Sequence, residues 1–411
     1  MNRDKTVTTT CCIAGGGPAG MMLGLLLARA GVDVVVLEKH ADFLRDFRGD
    51  TIHPSSLELM YELGLLDEFL RLPHQKAFQI RARSGDAEVV FGDFSHLPTR
   101  CKYVALLPQW DFLNFLARKA GAYPWFSLRM RAEVTGLIEE NGRVAGVRAR
   151  TPDGELEVRA DLVVGADGRH SDVRARAGLP LQELGAPIDV LWFRVSRRPD
   201  DPETPTGNFT RGRLLAMINR TDYWQCGYVI RKGALEQLKA RGLAEFRADL
   251  ARLSPILADR VGEVRGWDDV NLLTVRVDRL TRWYRPGLLC IGDAAHAMSP
   301  VGGVGINLAI QDAVAAANIL AVPLRDGTLT LDHLRRVQKR RELPTRLTQR
   351  LQVLIQDRVL TRVLSGEISS GVPAPIRLFG RFPFLARVPA RVVGVGFRPE
   401  HVKSPAVPIP A

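Results

Sequence analysis

Three glycines and one carboxylate near the start of the chain have the spacing of a nucleotide-binding site. Gly15, Gly17 and Gly20 form the pattern G-x-G-x-x-G. In such a pattern the first glycine permits a tight turn, the second lets a pyrophosphate approach the backbone, and the third lets a helix pack closely on a strand. Glu38 follows Gly20 by 18 residues, close to the place of a carboxylate that accepts from ribose hydroxyls. Because an acid there would repel a 2′-phosphate, the pattern predicts the ADP moiety of FAD or NAD rather than NADP.

A strand, a helix and a second strand are predicted around these residues. Residues 8–13 are typical of a short buried strand, and residues 18–30 carry apolar side chains at helical spacing. Gly31 ends the helix, and residues 34–37 form a second apolar strand. Such a βαβ unit points the helix N-terminus, with its unpaired N–H groups and partial positive charge, at bound phosphates. A glycine-rich turn that binds nothing is the alternative, and the complete unit favours nucleotide binding over it.

Length and composition describe an ordinary globular protein that is larger than one domain. The chain has 411 residues, 46% of them apolar and 25% charged, which predicts two or three structural units. No apolar run reaches the roughly 18 residues that span a bilayer, and the N-terminus lacks the apolar core of a signal peptide. Five cysteines without a C-x-x-C pair fit reduced structural thiols, and no cluster has metal-ligand spacing. We therefore expect a cytoplasmic protein without a metal.

The net charge of +12 is the one unusual bulk property. It would suit nucleic acid, an anionic membrane surface or an acidic substrate. The arginines are interleaved with Asp and Glu and no nucleic-acid motif accompanies them, so we expect a solvated basic surface and no nucleic-acid partner. Residues 377–398 mix arginine with apolar side chains. This segment fits either weak contact with a membrane surface or a docked C-terminal segment.

The middle of the chain predicts a second sheet, and the end predicts helices. A hairpin is expected around Ser84-Gly85-Asp86, and three further strands are expected over residues 189–196, 222–230 and 271–280. Residues 234–261 are expected to be mostly helical. After a long helix from about residue 305 to residue 320, the chain is mostly helical and basic, with a kink or break at Pro344. Frequent Pro and Gly predict an extended tail from Gly371 on.

Two later motifs carry chemistry of the same kind as the first. The second motif is residues 165–174 (GADGRHSDVR), and the third is residues 292–307 (GDAAHAMSPVGGVGIN). A buried strand over residues 288–292 delivers Asp293 at its carboxyl end, where open α/β sheets bind ligands. The loop that follows has three glycines that permit unusual backbone angles, Gly302, Gly303 and Gly305. The next helix then points its N-terminus at the same site.

Together with the opening βαβ unit, these motifs resemble the three signature motifs of the class A flavoprotein monooxygenases, the para-hydroxybenzoate hydroxylase-like family. The resemblance covers about residues 8–320 and implies a mixed α/β (α+β) fold. Its parts would be a Rossmann-like FAD-binding domain of the glutathione-reductase type, an inserted antiparallel-sheet substrate domain and C-terminal helices. The expected boundaries are 1–75, 101–180 and 287–322 for the FAD-binding domain, 76–100 and 181–286 for the substrate domain, and 323–411 for the C-terminal helical segment and tail.

The resemblance implies non-covalent FAD and assigns residues to it by their place in the motifs. Glu38 would hold the adenosine ribose, and Arg48 would reach the FAD phosphates or the flavin edge. Gln109 and Asp293 would bond the ribityl chain, and the backbone of residues 302–307 would lie along the pyrimidine side of the flavin. There the dipole of the following helix would stabilise negative charge. The expected cofactor-binding residues are Gly15, Gly17, Pro18, Ala19, Gly20, Glu38, Lys39, Arg48, Gln109, Asp167, Asp293, Pro300, Gly303, Gly305, Ile306 and Asn307.

The same resemblance implies the reaction. NADH or NADPH reduces FAD, dioxygen adds at flavin C4a, and the hydroperoxide transfers one oxygen to an electron-rich aromatic small molecule. The second sheet would cover the substrate and exclude water. Its candidate substrate residues are Trp192, Arg194, Tyr223 and Gln225, with ordinary sheet packing as the alternative for the aromatic residues on these strands, which include Trp224 and Tyr228. No catalytic base is assigned, and the protein is expected to be a monomer or a homodimer.

Other functions stay open at this point. A flavin-dependent halogenase or a lipid reductase would share the fold, although the halogenase signature W-x-W-x-x-I-P is missing because no two of the six tryptophans are two residues apart. A flavin-free NAD dehydrogenase would share the first motif.

Two positions depart from the family pattern. Ser299-Pro300 stands where the family often has two prolines, and Ala19 where it often has serine.

Two histidines invite catalytic roles. We expect His296 to support its turn and His53 to be a hydrogen-bonded loop residue.

Overall fold

The computed structural model describes residues 5–44, 51–85, 87–367 and 374–409 and has the mixed α/β fold expected. Its strands are β1 (Lys5–Ala14), β2 (Val34–Glu38), β3 (Thr51–Ile52), β4 (Gln75–Ala77), β5 (Gln79–Ser84), β6 (Ala87–Asp93), β7 (Val104–Leu106), β8 (Phe126–Met130), β9 (Glu133–Glu140), β10 (Arg143–Thr151), β11 (Gly154–Gly165), β12 (Leu181–Glu183), β13 (Ile188–Ser196), β14 (Thr206–Thr210), β15 (Arg213–Asn219), β16 (Tyr223–Arg231), β17 (Asn271–Leu273), β18 (Asp278–Leu280), β19 (Tyr284–Arg285) and β20 (Leu288–Cys290).

Helices connect and cover these strands. They are α1 (Pro18–Arg29), α2 (Pro54–Glu62), α3 (Leu66–Phe69), α4 (Gln109–Ala120), α5 (Asp172–Arg176), α6 (Leu235–Ala240), α7 (Leu243–Leu253), α8 (Gly305–Arg325), α9 (Leu331–Ile355), α10 (Thr361–Leu364), α11 (Ala374–Arg381) and α12 (Arg387–Gly394). Short 3₁₀ turns at Gly292–Ala294 and Val301–Gly303 lie in the third motif, and another at Pro383–Ala386 joins α11 to α12.

The larger sheet has a parallel core built on β1. Its order is β20-β11-β1-β2-β8, with every neighbouring pair parallel. β19 adds an antiparallel edge, and β9 and β10 continue from β11 as a meander. Asn141 and Gly142 have positive φ angles of 51° and 74° in the tight turn between β9 and β10. Because β1, β11 and β20 run in the same direction, the three motifs that follow them begin at one edge of the sheet.

Helix α1 is buried on all sides, which its apolar sequence allows. It packs against the sheet, α4 and α8, and every residue from Ala19 to Ala28 is buried. Gly24 permits the close approach of helix and sheet, because a Cβ there would lie 2.9 Å from the ring of Phe126 and 3.0 Å from Val36. The βαβ unit predicted from the sequence is therefore present.

One helical stretch of the described chain, Val301–Arg325, is long and apolar enough to cross a membrane. Within its most apolar window, 67% of the residues are buried inside the protein. It packs against α1 and α9 in the way of a core helix. Pro323 lies inside α8, so the helix runs a little beyond the predicted end at residue 320.

The second sheet contains the strands predicted for the substrate-covering unit. Its order is β17-β13-β16-β15-β14-β5-β6, and all neighbouring pairs are antiparallel except β14 and β5. The hairpin β5–β6 therefore joins strands that come more than a hundred residues later in the chain. α7 covers one face of the sheet, where Phe246 and Leu250 pack on Phe193 and Trp224.

Three predicted elements differ from the structure. Residues 271–280 form two strands rather than one, because β17 pairs with β13 whereas β18 leaves that sheet and pairs with β12. α9 continues through Pro344, where packing of its buried face outweighs the hydrogen bond that proline removes. Residues 374–394, predicted as extended, are mostly helical. Pro383 and Pro389 stand in the first turns of helical segments, where a missing N–H costs nothing.

The last residues of the described chain dock on the core. The backbone N–H of Val407 donates to the carbonyl of Arg29 (2.9 Å), and the Arg29 side chain donates to the carbonyl of Ser404 (3.1 Å). Asn318 of α8 accepts from the N–H of Ser404 (2.8 Å). The tail that follows α12 therefore lies along α1 and α8.

Candidate functional site

The first glycine turn fits its neighbours so closely that two of its glycines have no room for a side chain. Gly15 has a φ of +108°, and a Cβ there would lie 2.4 Å from the carbonyl oxygen of Ala166. A Cβ on Gly20 would lie 2.0 Å from the carbonyl oxygen of Gly15. Gly17 differs, because a Cβ there would meet no described atom within 4 Å. The turn therefore excludes a side chain at Gly15 and Gly20 but has free space at Gly17.

Glu38 ties the end of β2 to this turn. Its Oε2 accepts from the backbone N–H of Gly16 (2.9 Å), and its Oε1 accepts from that of His40 (3.0 Å). The residue is only 8% exposed. Because each carboxylate oxygen can accept more than one hydrogen bond, Glu38 can hold the turn and still accept from a ribose hydroxyl. Lys39, the next predicted residue, is exposed beside it.

Gly292 brings the first and third motifs together. A Cβ there would lie 3.0 Å from the Cβ of Ala19 in α1 and 3.2 Å from the Cβ of Ala309 in α8. The first turns of α1 and α8 therefore meet at the carboxyl end of β20. Ala19, where the family often has serine, packs its methyl group against this contact.

Both helices present positive N-termini to the same region. Among the described residues, no side chain caps α1 or α8, and neither helix has an acidic residue in its first turn. The short helix α5 is different, since Ser171 caps it and Asp172 lies in its first turn. The unpaired N–H groups and partial positive charge of a helix N-terminus attract anions. Two such ends side by side form a site for an extended anionic ligand.

Side chains from β3 and α2 hold the glycine loop before α8. Thr51 donates from its hydroxyl to the carbonyl of Gly303 (3.0 Å), and Asn307 donates from Nδ2 to the carbonyl of Thr51 (2.9 Å). Asn307 Oδ1 accepts from the backbone N–H of His53 (2.8 Å) and from the hydroxyl of Ser56 (2.7 Å). The side chain of Asn307 is thus engaged within the protein. The backbone of the loop, not this amide, is what the arrangement offers to a ligand.

The remaining predicted residues of the third motif lie in the same loop. Gly303 has a φ of +62°, and a Cβ there would lie 2.6 Å from Thr51 Oγ1. Pro300, Gly305 and Ile306 are half-buried. Ser299, which replaces a proline of the family pattern, donates from its backbone N–H to Gln352 Oε1 (3.2 Å). Since proline has no N–H, this bond needs a residue other than proline.

Asp293 follows β20 as the sequence predicts and is half-buried. Its carboxylate lies 3.7 Å from the guanidinium of Arg169 in the second motif. Arg174, also of the second motif, donates to the carbonyl of Ala294 (3.2 Å). The second and third motifs are therefore joined next to Asp293.

Asp167 shapes the start of α5. Its Oδ1 accepts from the hydroxyl of Ser171 (2.5 Å), and its Oδ2 accepts from the backbone N–H of Val173 (3.1 Å). Burial raises the pKa of Asp167, although these hydrogen bonds act in the opposite direction. Ser171 supports the turn, as expected.

The two other predicted residues come from different parts of the chain. Gln109 is the first residue of α4, just after β7, and is half-buried. Arg48 lies outside the described residues.

His53 is the hydrogen-bonded loop histidine that was expected. Its Nδ1 lies 2.7 Å from the carbonyl oxygen of Val393 in α12, and the histidine is 1% exposed. Burial lowers the pKa of His53 to about 4. The imidazole is therefore neutral near pH 7, and Nδ1 carries the proton because a carbonyl can only accept. His53 links α12 to Asn307 and so to the glycine loop.

A buried ionic network behind the third motif was not predicted. His296 Nε2 lies 2.5 Å from Oδ2 of Asp312, which also accepts from the N–H of Gly292 (3.1 Å). Arg341 donates to Oδ1 of Asp312 (2.9 Å) and to Glu400 (3.3 Å). Burial acts to raise the pKa of Asp312, but His296 and Arg341 hold it below its usual range. Asp312, an acidic residue inside the apolar helix α8, was the one sign of this network in the sequence. The sequence does not show which residues pair with it.

The four predicted substrate residues share one face of the second sheet. The register pairs Trp192 with Gly227, Arg194 with Gln225 and Ser196 with Tyr223. Opposite residues of an antiparallel pair project to the same face. This face is the one that α7 does not cover. Gln225 is buried there and accepts from Nε of Arg220 (2.8 Å).

Trp224 and Tyr228 lie on the opposite, helix-covered face. Trp224 Nε1 donates to Asp201 (2.9 Å), and the ring of Tyr228 packs edge-on against Phe246 at 5.3 Å. Ordinary packing accounts for both residues. The face opposite α7 turns toward the third motif and α10, because Val301 and Val363 pack in the same apolar cluster as Val229.

The residues present fit an FAD molecule. The open space at Gly17 leaves the backbone accessible to a pyrophosphate, and Glu38 has acceptor capacity for a ribose. The meeting of two uncapped helix ends at Gly292 provides positive potential for phosphates at one end and for a flavin ring at the other.

Comparison with known proteins agrees with this geometry. Residues 8–350 match the family model described as "FAD binding domain". The chain is 36% identical over 390 residues to the 6-methylpretetramide 4-monooxygenase of Streptomyces rimosus, covering 93% of this chain and 92% of that protein. It is 31% identical over 319 residues to the 12-dehydrotetracycline 5-monooxygenase/anhydrotetracycline 6-monooxygenase of Streptomyces rimosus subsp. rimosus, covering 74% of this chain and 60% of that protein.

Among solved structures, PqsL of Pseudomonas aeruginosa in complex with 2-aminobenzoylacetate superposes with a TM-score of 0.76. The two chains are 23% identical, and the match covers 88% of this chain and 99% of the other. At that identity the likeness concerns the fold.

Proposed function

The chain belongs to the class A FAD-dependent aromatic monooxygenases, and from this premise we propose how its residues serve the reaction. FAD is the cofactor, and the enzyme is an oxidoreductase that hydroxylates its substrate, with NAD(P)H as the reductant typical of the family. The observation that carries the proposal is the meeting of the two uncapped helices, α1 and α8, at Gly292. This meeting of the helices supports an FAD molecule that extends from Glu38 to the glycine loop before α8.

Several of the predicted residues then have a task. The α1 N-terminus and Gly17 hold the pyrophosphate, Glu38 holds the adenosine ribose, and Asp293 and Gln109 hold the ribityl chain. The backbone of residues 303–307 faces the pyrimidine side of the flavin, where the α8 dipole stabilises negative charge. When bound, FAD accepts a hydride from NAD(P)H and activates dioxygen for transfer of one oxygen atom.

We propose the second sheet as the cover of the substrate. The face opposite α7 carries Trp192, Arg194, Tyr223 and Gln225, which offer an apolar ring surface and polar groups to an aromatic molecule. Because this face packs toward Val301 of the third motif, a substrate held there lies beside the glycine loop and away from water. We also propose a FAD-binding domain over 1–75, 101–180 and 287–322 and a substrate domain over 76–100 and 181–286, because β5 and β6 join the second sheet through β14.

The substrate we propose is an aromatic small molecule of the kind that 6-methylpretetramide represents, because that relative matches nearly the whole chain. We further propose a cytoplasmic enzyme that is a monomer or a homodimer.

The test begins with the purified protein. Acid precipitation should release a yellow chromophore into the supernatant, whereas colour in the pellet would mean covalent flavin and a colourless protein would overturn the assignment. Aromatic compounds, with 6-methylpretetramide first, are then screened for stimulation of NAD(P)H oxidation. Arg194→Ala should raise KM for the stimulating compound by about tenfold, the loss of one charged hydrogen bond. Arg150→Ala, an exposed arginine of the larger sheet, is the matched control and should leave KM unchanged.

A further inference from the structure

The C-terminal helices carry an apolar surface that the fold does not use. Four large side chains between residues 378 and 388 are exposed, namely Leu378 (49%), Phe382 (41%), Phe384 (60%) and Val388 (61%). The rings of Phe382 and Phe384, between α11 and α12, lie edge to face with their centroids 6.2 Å apart. Leu378 precedes Phe382 by four residues and Val388 follows Phe384 by four, the spacing that puts helical side chains on one side. We name these four residues the C-terminal apolar surface.

This surface is not the face that anchors the helices. Ala386 and Ala390 are buried, and Gly394 is packed so closely that a Cβ there would lie 2.8 Å from Leu97. The segment is therefore docked through Ala390 and Gly394, with Val393 packed on the same cluster, while the four large residues named above face outward. The two phenylalanines are therefore exposed on a segment that is held in place by its other side.

Exposed arginines surround the apolar residues. Arg377 and Arg381 flank Leu378 and Phe382, and Arg387 and Arg391 flank Val388 in the same four-residue helical spacing. From residue 368 to residue 399 the chain contains no Asp or Glu. The second basic surface of the protein, along α9, differs in this respect. There Arg346 pairs with Glu342 at 3.3 Å, and exposed acids interrupt the positive charge.

We propose that the C-terminal apolar surface docks the enzyme on an anionic lipid bilayer. A short amphipathic helical segment with aromatic residues on one side and arginines beside them suits the interface between headgroups and acyl chains. Anionic lipids attract such arginines at about 1 kcal/mol each, or about fivefold in affinity. A second copy of the chain is a poor occupant, because a two-fold contact would bring two sets of unneutralised arginines together.

Docking would bring the flavin end of the site to the membrane surface. The carbonyl of Val393 in α12 bonds His53 (2.7 Å), and a Cβ on Gly302 would lie 3.6 Å from Val393. The membrane-facing segment and the glycine loop of the third motif are therefore in contact. On the proposed function, this placement fits an amphiphilic aromatic substrate that partitions into the interface. The docking itself does not depend on that function.

Co-sedimentation of the FAD-loaded protein with vesicles tests the proposal. The wild-type protein should bind vesicles of phosphatidylcholine and phosphatidylglycerol, bind pure phosphatidylcholine at least tenfold more weakly, and lose binding as salt is raised. The double variant Phe382→Ser/Phe384→Ser should bind at least tenfold more weakly than wild type. Arg377→Gln/Arg381→Gln/Arg387→Gln should weaken binding about a hundredfold, at about fivefold per charge.

Matched controls separate this surface from general charge and apolarity. Arg335→Gln/Arg346→Gln/Arg350→Gln removes three charges from α9, and Leu331→Ser/Leu354→Ser removes two exposed apolar side chains. Both should bind vesicles like wild type, and flavin absorbance and circular dichroism verify that every variant is folded. If the α9 arginine variant lost as much vesicle binding as the C-terminal arginine variant, net charge alone would explain the binding. That result would overturn the proposal. Absence of vesicle binding, or a dimer that dissociates in the Phe382→Ser/Phe384→Ser variant, would also overturn it.

Discussion

The two glycine turns that enter α1 and α8 look alike in sequence but are held in different ways. The first turn is fixed by backbone packed against backbone. Gly20 approaches the carbonyl of Gly15 so closely that no side chain fits between them. The second turn has left-handed glycines as well, but it is fastened by side chains of Thr51 and Asn307 that reach its carbonyls.

This difference separates the two ends of the cofactor site. The first turn belongs to a single βαβ unit, so its shape depends on local packing and carries no titratable group apart from Glu38. The second turn depends on β3, α2 and α12, because Asn307 and His53 tie these elements together. We therefore expect the adenosine end to be sensitive to added volume and the flavin end to be sensitive to lost hydrogen bonds.

Adding one methyl group should have the largest effect, at the first turn. Gly20→Ala places a Cβ 2.0 Å from the carbonyl of Gly15. Because only the backbone could give way, the substitution should cost about 3 kcal/mol or more of unfolding free energy and abolish FAD retention. Chemical denaturation with flavin absorbance measures both.

Gly17→Ala is the matched control in the same turn. Its Cβ meets no described atom within 4 Å, so the free energy of unfolding of the FAD-free protein should stay within about 1 kcal/mol of wild type. FAD affinity should nevertheless fall, because the methyl group takes the space of the pyrophosphate. If Gly17→Ala bound FAD normally, the pyrophosphate would lie elsewhere.

Removing the amide of Asn307 should have the next largest effect, at the second turn. Asn307→Ala leaves the N–H of His53 and the carbonyl of Thr51 without their partner, at about 1–3 kcal/mol for each buried group. We expect a loss of about 3 kcal/mol in unfolding free energy and weaker binding of FMN than of ADP. Ser56→Ala, which removes one of the hydrogen bonds to the same amide, should cost about 1 kcal/mol. Equal binding losses for FMN and ADP would mean that the two ends are not independent.

The contrast between the turns also explains how much the sequence could predict. The first turn could be predicted because the residues that shape it, Gly15, Gly20 and Glu38, lie within one short stretch. There the spacing of the residues in the sequence indicates how they pack. The third motif could be located in the same way. The residues that support the third motif could not be predicted, because Thr51 and His53 lie about 250 residues before Asn307. Likewise, Arg341 contacts Asp312 only because α9 packs on α8. The C-terminal helices were missed because prolines in their first turns resemble the signal for an extended tail.

Asp293→Ala tests the flavin end without disturbing either turn. Asp293 is half-buried and its described ion pair, with Arg169, is long at 3.7 Å, so its loss should change stability little. If its carboxylate bonds the ribityl chain, affinity for FAD and FMN should fall about 10- to 150-fold, the equivalent of roughly 1.5–3 kcal/mol. ADP should bind as before. Peroxide yield per NAD(P)H consumed should rise, because a poorly held flavin couples less well.

Glu38→Arg is the counterpart at the adenosine end. It removes the acceptor for the ribose and for the N–H of Gly16, so ADP and FAD should lose affinity together while FMN is unaffected. An unchanged ADP affinity would place the adenosine away from Glu38.

Acid should lower the free energy of unfolding through His53, which supports the second turn. Burial holds the pKa of His53 at about 4 in the folded protein, against an ordinary value of 6.5 in the unfolded chain. Between these values the unfolded chain binds more protons, so the free energy of unfolding rises with pH and falls as the solution is acidified. From pH 7 to pH 5 the histidine should withdraw about 2 kcal/mol of stability.

His53→Asn isolates this contribution, because asparagine can donate to the carbonyl of Val393 but does not titrate. The variant is compared with wild type by denaturant unfolding at pH 7 and pH 5, so that other titrating groups cancel in the difference. The stability gap between the two proteins should shift by about 2 kcal/mol in favour of the variant at pH 5. FMN and ADP binding by wild type should both hold over the same range, because the imidazole of folded His53 is neutral at pH 7 and at pH 5. If both proteins lost stability in parallel, burial would not lower the pKa of His53, and the loss of stability in acid would have to come from other groups.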